Sequence, residues 1–477
     1  MGVVGLNFGS ATSGQGFDVA STVNQIVSNL QTVETPWKAQ LTTLQSRDTA
    51  LSNLGSLVST LSADLQSLRD FGGALSSKVG SSSNSNVLSL LSANSAAVAG
   101  THEVTLQNLA RTSSAATDAG GASDVLSGSV TFKIGDGAWQ TVNVGDNSTS
   151  RNLSGLAAAI NAAGLGATAT VLTNADGSAR LSLMSQTSGS AGQITIADST
   201  NNPESPTTLT DQTSADGNPG LGLATIQNGV DATLKVDGVT LTSSSNTVTN
   251  AIPGVTFQLL SAGSTDSGSE PVQVVIANDN SSIASAINTF VTDYNAAIKA
   301  INAQETKDSS GNAEPLFGTA VLAQLQQGLQ SAMCQTFGTG KINSLISLGI
   351  SASASADGTV TLDVDALNSA LNSNFNRVVS LFQDMDSFGW SFDQTLNNLG
   401  NSRSSGAISM ALKEDASQEK ALNNNISKQE DLIAIQKTNL TAELNLANQI
   451  FQSIPQQIQQ VNEIYSAITG YSSNKNG

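Results

Sequence analysis

The sequence predicts a multidomain α+β protein in which long terminal helices form a coiled-coil stalk and β-rich head domains are inserted between helical segments. Three observations carry this. Both ends have apolar residues at heptad spacing, which need a partner surface along their whole length. The apolar period changes from 3.5 to two residues near Lys78 and back near Ser281. No glycine occurs from Ala407 to Thr469.

At the N-terminal end, sevens from Val23 give Val23, Leu30, Trp37, Leu44, Leu51, Val58 and Leu65, all apolar. Three further on stand Ile26, Val33, Gln40, Arg47, Leu54, Leu61 and Leu68, five of seven apolar. At the other end Leu412, Glu419, Ile426, Ile433, Leu440, Ala447, Ile454, Val461 and Ile468 are apolar at eight of nine positions. The candidate assembly seam is therefore Val23, Leu30, Trp37, Leu44, Leu51, Leu54, Val58, Leu61, Ile426, Ile433, Leu440, Ile454, Val461 and Ile468. Leu51, Leu54, Val58 and Leu61 are expected to face Ile426, Ile433 or Leu440, although a heptad seam fixes a face and not an axial offset.

Residues 1–16 are rich in Gly and Ser and are expected to be flexible. Asp18 can cap a helix from about Val19. Thr35-Pro36 reads as an N-cap and a first-turn proline, so the helix breaks and restarts there. The second helix should reach about Asp70, before Gly72-Gly73, a length of about 50 Å.

Strand alternation follows in His102–Gln107, Ser129–Ile134 and Thr168–Leu172, with hairpin turns at Asp136-Gly137 and Asp176-Gly177. A helix from Asn152 to Ala163 offers Leu153, Leu156, Ala157 and Ile160 to a core. Asp198–Leu223 lacks Lys and Arg and reads as a long exposed loop or a strand-poor tip. Strands resume at Ala232–Val236, Val255–Leu259 and Val272–Ile276, with a turn at Asp237-Gly238. Helical spacing returns with Ile283, Ile287, Phe290, Val291, Tyr294, Ile298 and Ile301. A helix over Leu316–Thr336, a hairpin at Asp357-Gly358 and a helix over Asp365–Phe382 come next. Ser387–Gly406 reads as a loosened stretch before the C-terminal helix.

The formal charge is −18, from 19 basic and 37 acidic side chains, which argues against nucleic acid or an anionic membrane as partner. One cysteine, Cys334, excludes an intrachain disulfide and reads as a small buried apolar residue. The first basic residue is Lys38, so the charged start of a general secretory signal is missing, and no run approaches a membrane span. These facts fit a cytoplasmic protein, or one exported unfolded without a cleaved signal.

Catalysis needs convergent titratable groups. His102, the single histidine, sits in a strand pattern, which excludes a histidine triad or multi-histidine metal site. Gly338-Thr339-Gly340-Lys341 fails as a phosphate loop, because Gln335 stands at the first glycine and Ile342 replaces Ser or Thr. Asp363-Val364-Asp365 and Asp384-Met385-Asp386 read as helix caps and solvated acids, not calcium ligands. Sequons at Asn147, Asn280 and Asn439 are at chance level in so Ser/Thr-rich a chain. No catalytic residue, metal or cofactor is expected, and the chain reads as a non-enzyme.

Several runs carry a resemblance. Gly16–Val23 followed by Glu34-Thr35-Pro36-Trp37 resembles the opening of the bacterial flagellar filament cap family, also called hook-associated protein 2 (FliD). That family usually has Leu where Phe17 and Trp37 stand. Ala99–Ala110, Ala158–Ala162 with Thr187-Ser188-Gly189, Val236-Asp237-Gly238, Ser245–Val248, Ile252–Thr256, Phe290–Asn295, and Leu348-Gly349-Ile350 with Asp357-Gly358-Thr359 match further segments in order. The likeness fades at Ala115–Ser127, at Asp198–Leu223 and past Ile454, where Pro455 interrupts a helix the family keeps continuous.

The resemblance implies an oligomeric cap at the distal tip of the flagellar filament, secreted through the flagellar type III export apparatus. Such a cap prevents flagellin loss and promotes flagellin folding and insertion. Implied partners are the chain itself in a ring of five or six subunits, flagellin and hook–filament junction proteins, with an export chaperone left open; nucleic acid and membrane insertion are not. The implied division is 1–42 and 431–477 as terminal coiled-coil segments, and 43–70 and 280–430 as a helical leg domain. Residues 71–122 and 224–279 would form a β-rich head domain, and 123–223 an inserted outer one. The alternative is a surface-exposed flagellar adhesin that binds host glycans or mucin through the head. A flagellin or hook-junction protein would share the paired termini, but Ile252–Thr256 argues against it.

Overall fold

The computed structural model describes residues 16–145, 151–213, 220–262, 270–400 and 402–470. The expected flexibility of residues 1–16 falls almost wholly outside them. The fold is α+β, with helices α1 (Val19–Gln31), α2 (Thr35–Arg69), α3 (Leu153–Ala163), α4 (Asn280–Gln304), α5 (Ala320–Met333), α6 (Val364–Gln383), α7 (Phe388–Leu399) and α8 (Ala407–Thr469). Two compact units divide the chain, Met1–Arg69 with Ala284–Gly477, and Asp70–Ile283.

In the helical unit, Asp18 caps α1 by accepting the Ser21 N–H at 3.0 Å. Pro36 lies in the first turn of α2, where its missing N–H has no helical partner to lose. Leu44, Leu51, Leu54, Val58, Leu61, Leu65 and Leu68 form the buried stripe of α2. The stripe on α4 runs from Ile283 through Ile287, Phe290, Tyr294 and Ile298 to Ile301, all buried as the spacing requires. Helix α5 begins four residues later than Leu316, because Gly318 adopts φ +70° and Thr319 takes the N-cap position. Asp363 caps α6, accepting from the Asp365 and Ala366 N–H groups at 3.0 Å each.

The segment expected to be loose, Ser387–Gly406, instead contains α7. Ser387 caps it, and Phe388, Phe392, Leu396 and Leu399 are buried. Phe388 stacks on Phe392 at 5.2 Å and meets Phe290 edge-on at 6.1 Å. Gly389 permits this packing, since a Cβ there would run into the Phe382 carbonyl oxygen. Gly389→Ala is therefore expected to destabilise the chain by about 1–3 kcal/mol through overpacking, read as a lower melting temperature. Helix α8 runs unbroken through Pro455, although proline removes one i→i−4 hydrogen bond.

The Asp70–Ile283 unit holds two cores. A five-stranded antiparallel sheet, in the order Lys78–Ser82, Val272–Asn278, Gly100–Asn108, Ala232–Val236 and Val239–Ser243, shares the first with the sheet Thr247–Thr249, Val255–Leu259 and Leu88–Ala93. Strand period two places Val104, Leu106, Leu234, Val274 and Phe257 inside. The second core joins Thr112–Thr117, Ala167–Thr173 and Ser178–Ser188 to the sheet of Ile194–Ile196, Ser129–Ile134 and Gln140–Asn143. Helix α3 seals it with Leu153, Leu156, Ala157 and Ile160. Asn152 caps α3 and left-handed Gly164 ends it.

Asp198–Leu223 is not merely an exposed loop. Leu209 and Leu221 enter the second core, and Thr210–Asp211 pairs with Leu126–Ser127. Three isolated leucines among polar residues give no period from which to read this.

Candidate assembly surface

Helices α1, α2 and α8 lie side by side in the helical unit. The Phe17 N–H donates to Asn448 Oδ1 at 2.8 Å, and the Phe17 and Phe451 rings meet edge-on at 6.2 Å. Val19, Val23 and Val27 pack with Ile433, flanked by Leu30, Leu440 and Leu444. Lys38 Nζ lies 2.7 Å from Glu34 and 3.4 Å from Glu430, and Arg47 lies 3.2 Å from Asp415. Contacts advance along α2 as they recede along α8, so the pairing is antiparallel.

That register corrects the expected facing. Arg47 already sits against Asp415, so Leu51–Leu61 lie beyond it, and Ile433 takes the valines of α1 as neighbours. The second track of the α8 seam also becomes visible as Ile408, Asp415 and Leu422, all buried. A buried aspartate in that track hides it from an apolar count.

Of the candidate seam, Val23, Leu44, Leu51, Leu54, Val58, Leu61, Ile426 and Ile433 are buried within this chain. Leu30, Trp37, Leu440 and Ile454 are half-buried. Val461 and Ile468 are 63% and 79% exposed. Ile458, Ile464 and Tyr465, which a strict heptad count passes over, are exposed beside them. The end of α8 thus carries an apolar stripe at spacings of three and four residues with no covering among the described residues, a pattern that needs a partner.

The remaining candidates serve the scaffold. His102 Nδ1 lies 2.7 Å from Asp237 Oδ2, and Asp237 accepts the Glu103 N–H at 2.9 Å. The His102 hydrogen bond is the main cause that holds the Asp237 carboxyl below its usual range. Asp237 and Gly238 take φ +51° and +84° in the hairpin turn. Asn295 clamps Val360, donating to its carbonyl and accepting its N–H at 2.8 Å each. Asn246 does the same for Ala110, at 3.0 and 2.8 Å. Cys334 corrects the expectation of a buried thiol: it is exposed at the C-cap of α5, whose buried face ends at Met333.

Asp64 on α2 has its carboxyl raised to about 6 by burial, then by a hydrogen bond and repulsion from Asp293 on α4. A raised acid gives the folded state a proton that the unfolded chain releases, so stability increases as pH falls from above 6 toward 4. Asp64→Asn is expected to raise the melting temperature by a few degrees at pH 8, about 1 kcal/mol, and to change little at pH 4. Thermal melts at the two pH values check this.

Among the described residues no group of three His, Cys, Asp or Glu side chains could hold a metal ion. No described helix is long and apolar enough to cross a membrane.

Two family profiles match, the flagellar hook-associated protein 2 N-terminus over residues 15–113 and its C-terminus over 229–468. The chain belongs to the flagellar hook-associated protein 2 family. It is 28% identical over 381 residues to the B-type flagellar hook-associated protein 2 of Pseudomonas aeruginosa, covering 76% of this chain and 78% of that one. To the Escherichia coli flagellar hook-associated protein 2 it is 24% identical over 382 residues, covering 77% and 78%. The crystal structure of the D1-D2-D3 domains of the Escherichia coli flagellar cap protein FliD shares the fold, with TM-score 0.56, 22% identity, and 77% of this chain and 99% of that one covered. Hook-associated protein 2 is a structural flagellar cap protein, so this chain is not an enzyme, and its place is the tip of the flagellar filament.

Proposed function

We propose that this hook-associated protein 2 forms an oligomeric ring at the distal filament tip, holds flagellin in the filament, and promotes folding and insertion of incoming flagellin. The observation that carries the reading is the exposed stripe Ile458, Val461, Tyr465 and Ile468 on α8, in a chain of the cap family. A stripe of this size, uncovered among the described residues, is stabilised when a neighbouring subunit removes it from water. The terminal segments 1–42 and 431–477 act as the coiled-coil part. Residues 43–70 and 280–430 act as the leg, 71–122 and 224–279 as the head, and 123–223 as its outer insertion. The work is non-covalent, and neither cofactor nor metal takes part. The chain reaches the tip by the flagellar export route and meets flagellin and the junction proteins there.

The test uses bacteria that lack their own cap protein and shed flagellin into the medium. Expression of the full chain should shift flagellin from the medium into filaments. Undiminished shedding, with the chain present outside the cell, would overturn the reading.

A further inference from the structure

The apolar seam of the α2–α8 pair is interrupted by a buried charge cluster at Arg47 and Asp415. Asp415 is 1% exposed and lies 3.2 Å from Arg47. Both carboxylate oxygens of Asp415, Nε of Arg47, Oδ1 of Asp48 and Oε1 of Glu419 are buried without a hydrogen-bond partner. One cation thus meets the carboxylates of Asp415 and Asp48, with Glu414 adjacent and Glu419 one helical turn along α8. Beside the cluster, residues 300–315 line a cleft with Ser46–Leu54 and bring Glu314 there, and α8 itself carries Lys413, which donates to the Ser404 carbonyl at 2.9 Å, and exposed Lys420. Helices α1 and α5, which also pack on α8, carry no titratable side chain. Helix α7 carries Asp393 alone, which is 3.1 Å from Arg69.

Packing quality differs on the two sides. From Leu51 to Leu68 the buried leucines and Val58 are 0–4% exposed. Beyond the cluster Leu44 and Val23 are also 2–3% exposed, but Leu422, Ile426, Ile433, Val27 and Val19 are 7–9% exposed, and the valines of α1 form a separate small core. Buried charges without full hydrogen bonding weaken a seam, and a net excess of one sign weakens it further. The arm therefore has the smaller and less continuous core, and the root the continuous one.

We propose that the Arg47–Asp48–Asp415–Glu419 cluster is a proton-closed breakpoint: ionised, it lets the arm formed by α1, the start of α2 and α8 beyond Glu419 open while the root stays shut, and one proton shared by Asp415 and Asp48 closes it. The titration supports the geometry. Burial raises the Asp415 carboxyl above its usual range, Arg47 opposes this, and Asp48 and Glu414 add to it. A raised acid favours the closed form as pH falls through its folded value, so closure strengthens toward acid and weakens above it. This concerns the isolated chain and does not rest on the capping reading.

Hydrogen exchange of the purified full chain at pH 4.0 and 8.0, corrected for the intrinsic pH dependence of exchange, tests it. In an Asp64→Asn background, which removes the titration of the root, amides of 37–44 and 419–433 should open about tenfold more at pH 8.0 than at pH 4.0, while those of 51–68 keep one opening equilibrium. Asp415→Asn removes the charge, keeps the shape and can donate to Asp48 or Glu419. It should slow arm exchange at pH 8.0 and flatten the pH dependence, and Asp48→Asn should act in the same direction. Faster arm exchange in both variants would mean that the Arg47 pair holds the arm shut, and would overturn the proposal. So would a wild-type arm that opens equally at both pH values, or only together with the root.

Discussion

Leu54→Asp is expected to cost about 4 kcal/mol or more and to lower the melting temperature of the dilute monomer by well over ten degrees, or to prevent folding. Leu54 is 3% exposed on the stripe of α2 that also carries Leu51, Val58 and Leu61. Removing a buried leucine alone costs about 2–5 kcal/mol, and a carboxylate in its place adds a desolvation penalty unless it is protonated. Leu54→Ala should therefore lose about 2–4 kcal/mol and still fold. Circular dichroism melts at low protein concentration measure both. The structure gives this prediction a different meaning from the one the heptad count suggests. The count makes Leu54 an assembly residue, whereas its burial inside one chain makes it part of the fold. A Leu54→Asp chain that melts like the wild type but fails only in assembly would contradict that distinction.

Val461→Asp combined with Ile468→Asp should do the reverse. Both side chains are exposed on α8, so the monomer should keep its stability to within about 0.5 kcal/mol. Assembly should fail, because each carboxylate would be carried into an apolar contact with no partner charge, at several kcal/mol per subunit contact. Replacing the same positions by leucine should leave assembly intact. The monomer melt and the filament yield of cap-deficient cells carrying each variant separate the two effects.

Much of the fold was legible because its signals are local and periodic. Asn152 as cap and Leu153, Leu156, Ala157 and Ile160 as a face define α3 without tertiary knowledge. The Asp237-Gly238 turn follows from the need for two positive φ values. Helix α7 lies in the stretch Ser387–Gly406 that reads as loosened, although Phe388, Phe392, Leu396 and Leu399 are helically spaced, and its core contact to Phe290 is distant in sequence. Cys334 differs from expectation because α5 ends at Met333 rather than Thr336, and less than one turn separates its buried face from solvent. Leu209 and Leu221 owe their burial to strands far away in sequence, which no local pattern reports.

The surface was harder to read than the seam. Sevens from Leu412 collect Ile426, buried in the chain, and Ile468, exposed on it, in a single series. Periodicity reports that a face is apolar, and only the packed structure separates positions this chain covers from those it leaves open. The axial offset likewise depends on where Arg47 meets Asp415 and Phe17 meets Phe451, contacts between residues more than three hundred positions apart.

The central claim is that this chain caps by self-association through the end of α8. Electron microscopy of the purified full chain over a range of concentrations, beside the Val461→Asp/Ile468→Asp variant, tests it most directly. The account predicts closed rings of a few subunits that become more abundant with concentration, and a variant that stays monomeric while melting like the wild type. Rings that form equally well in the variant would contradict it.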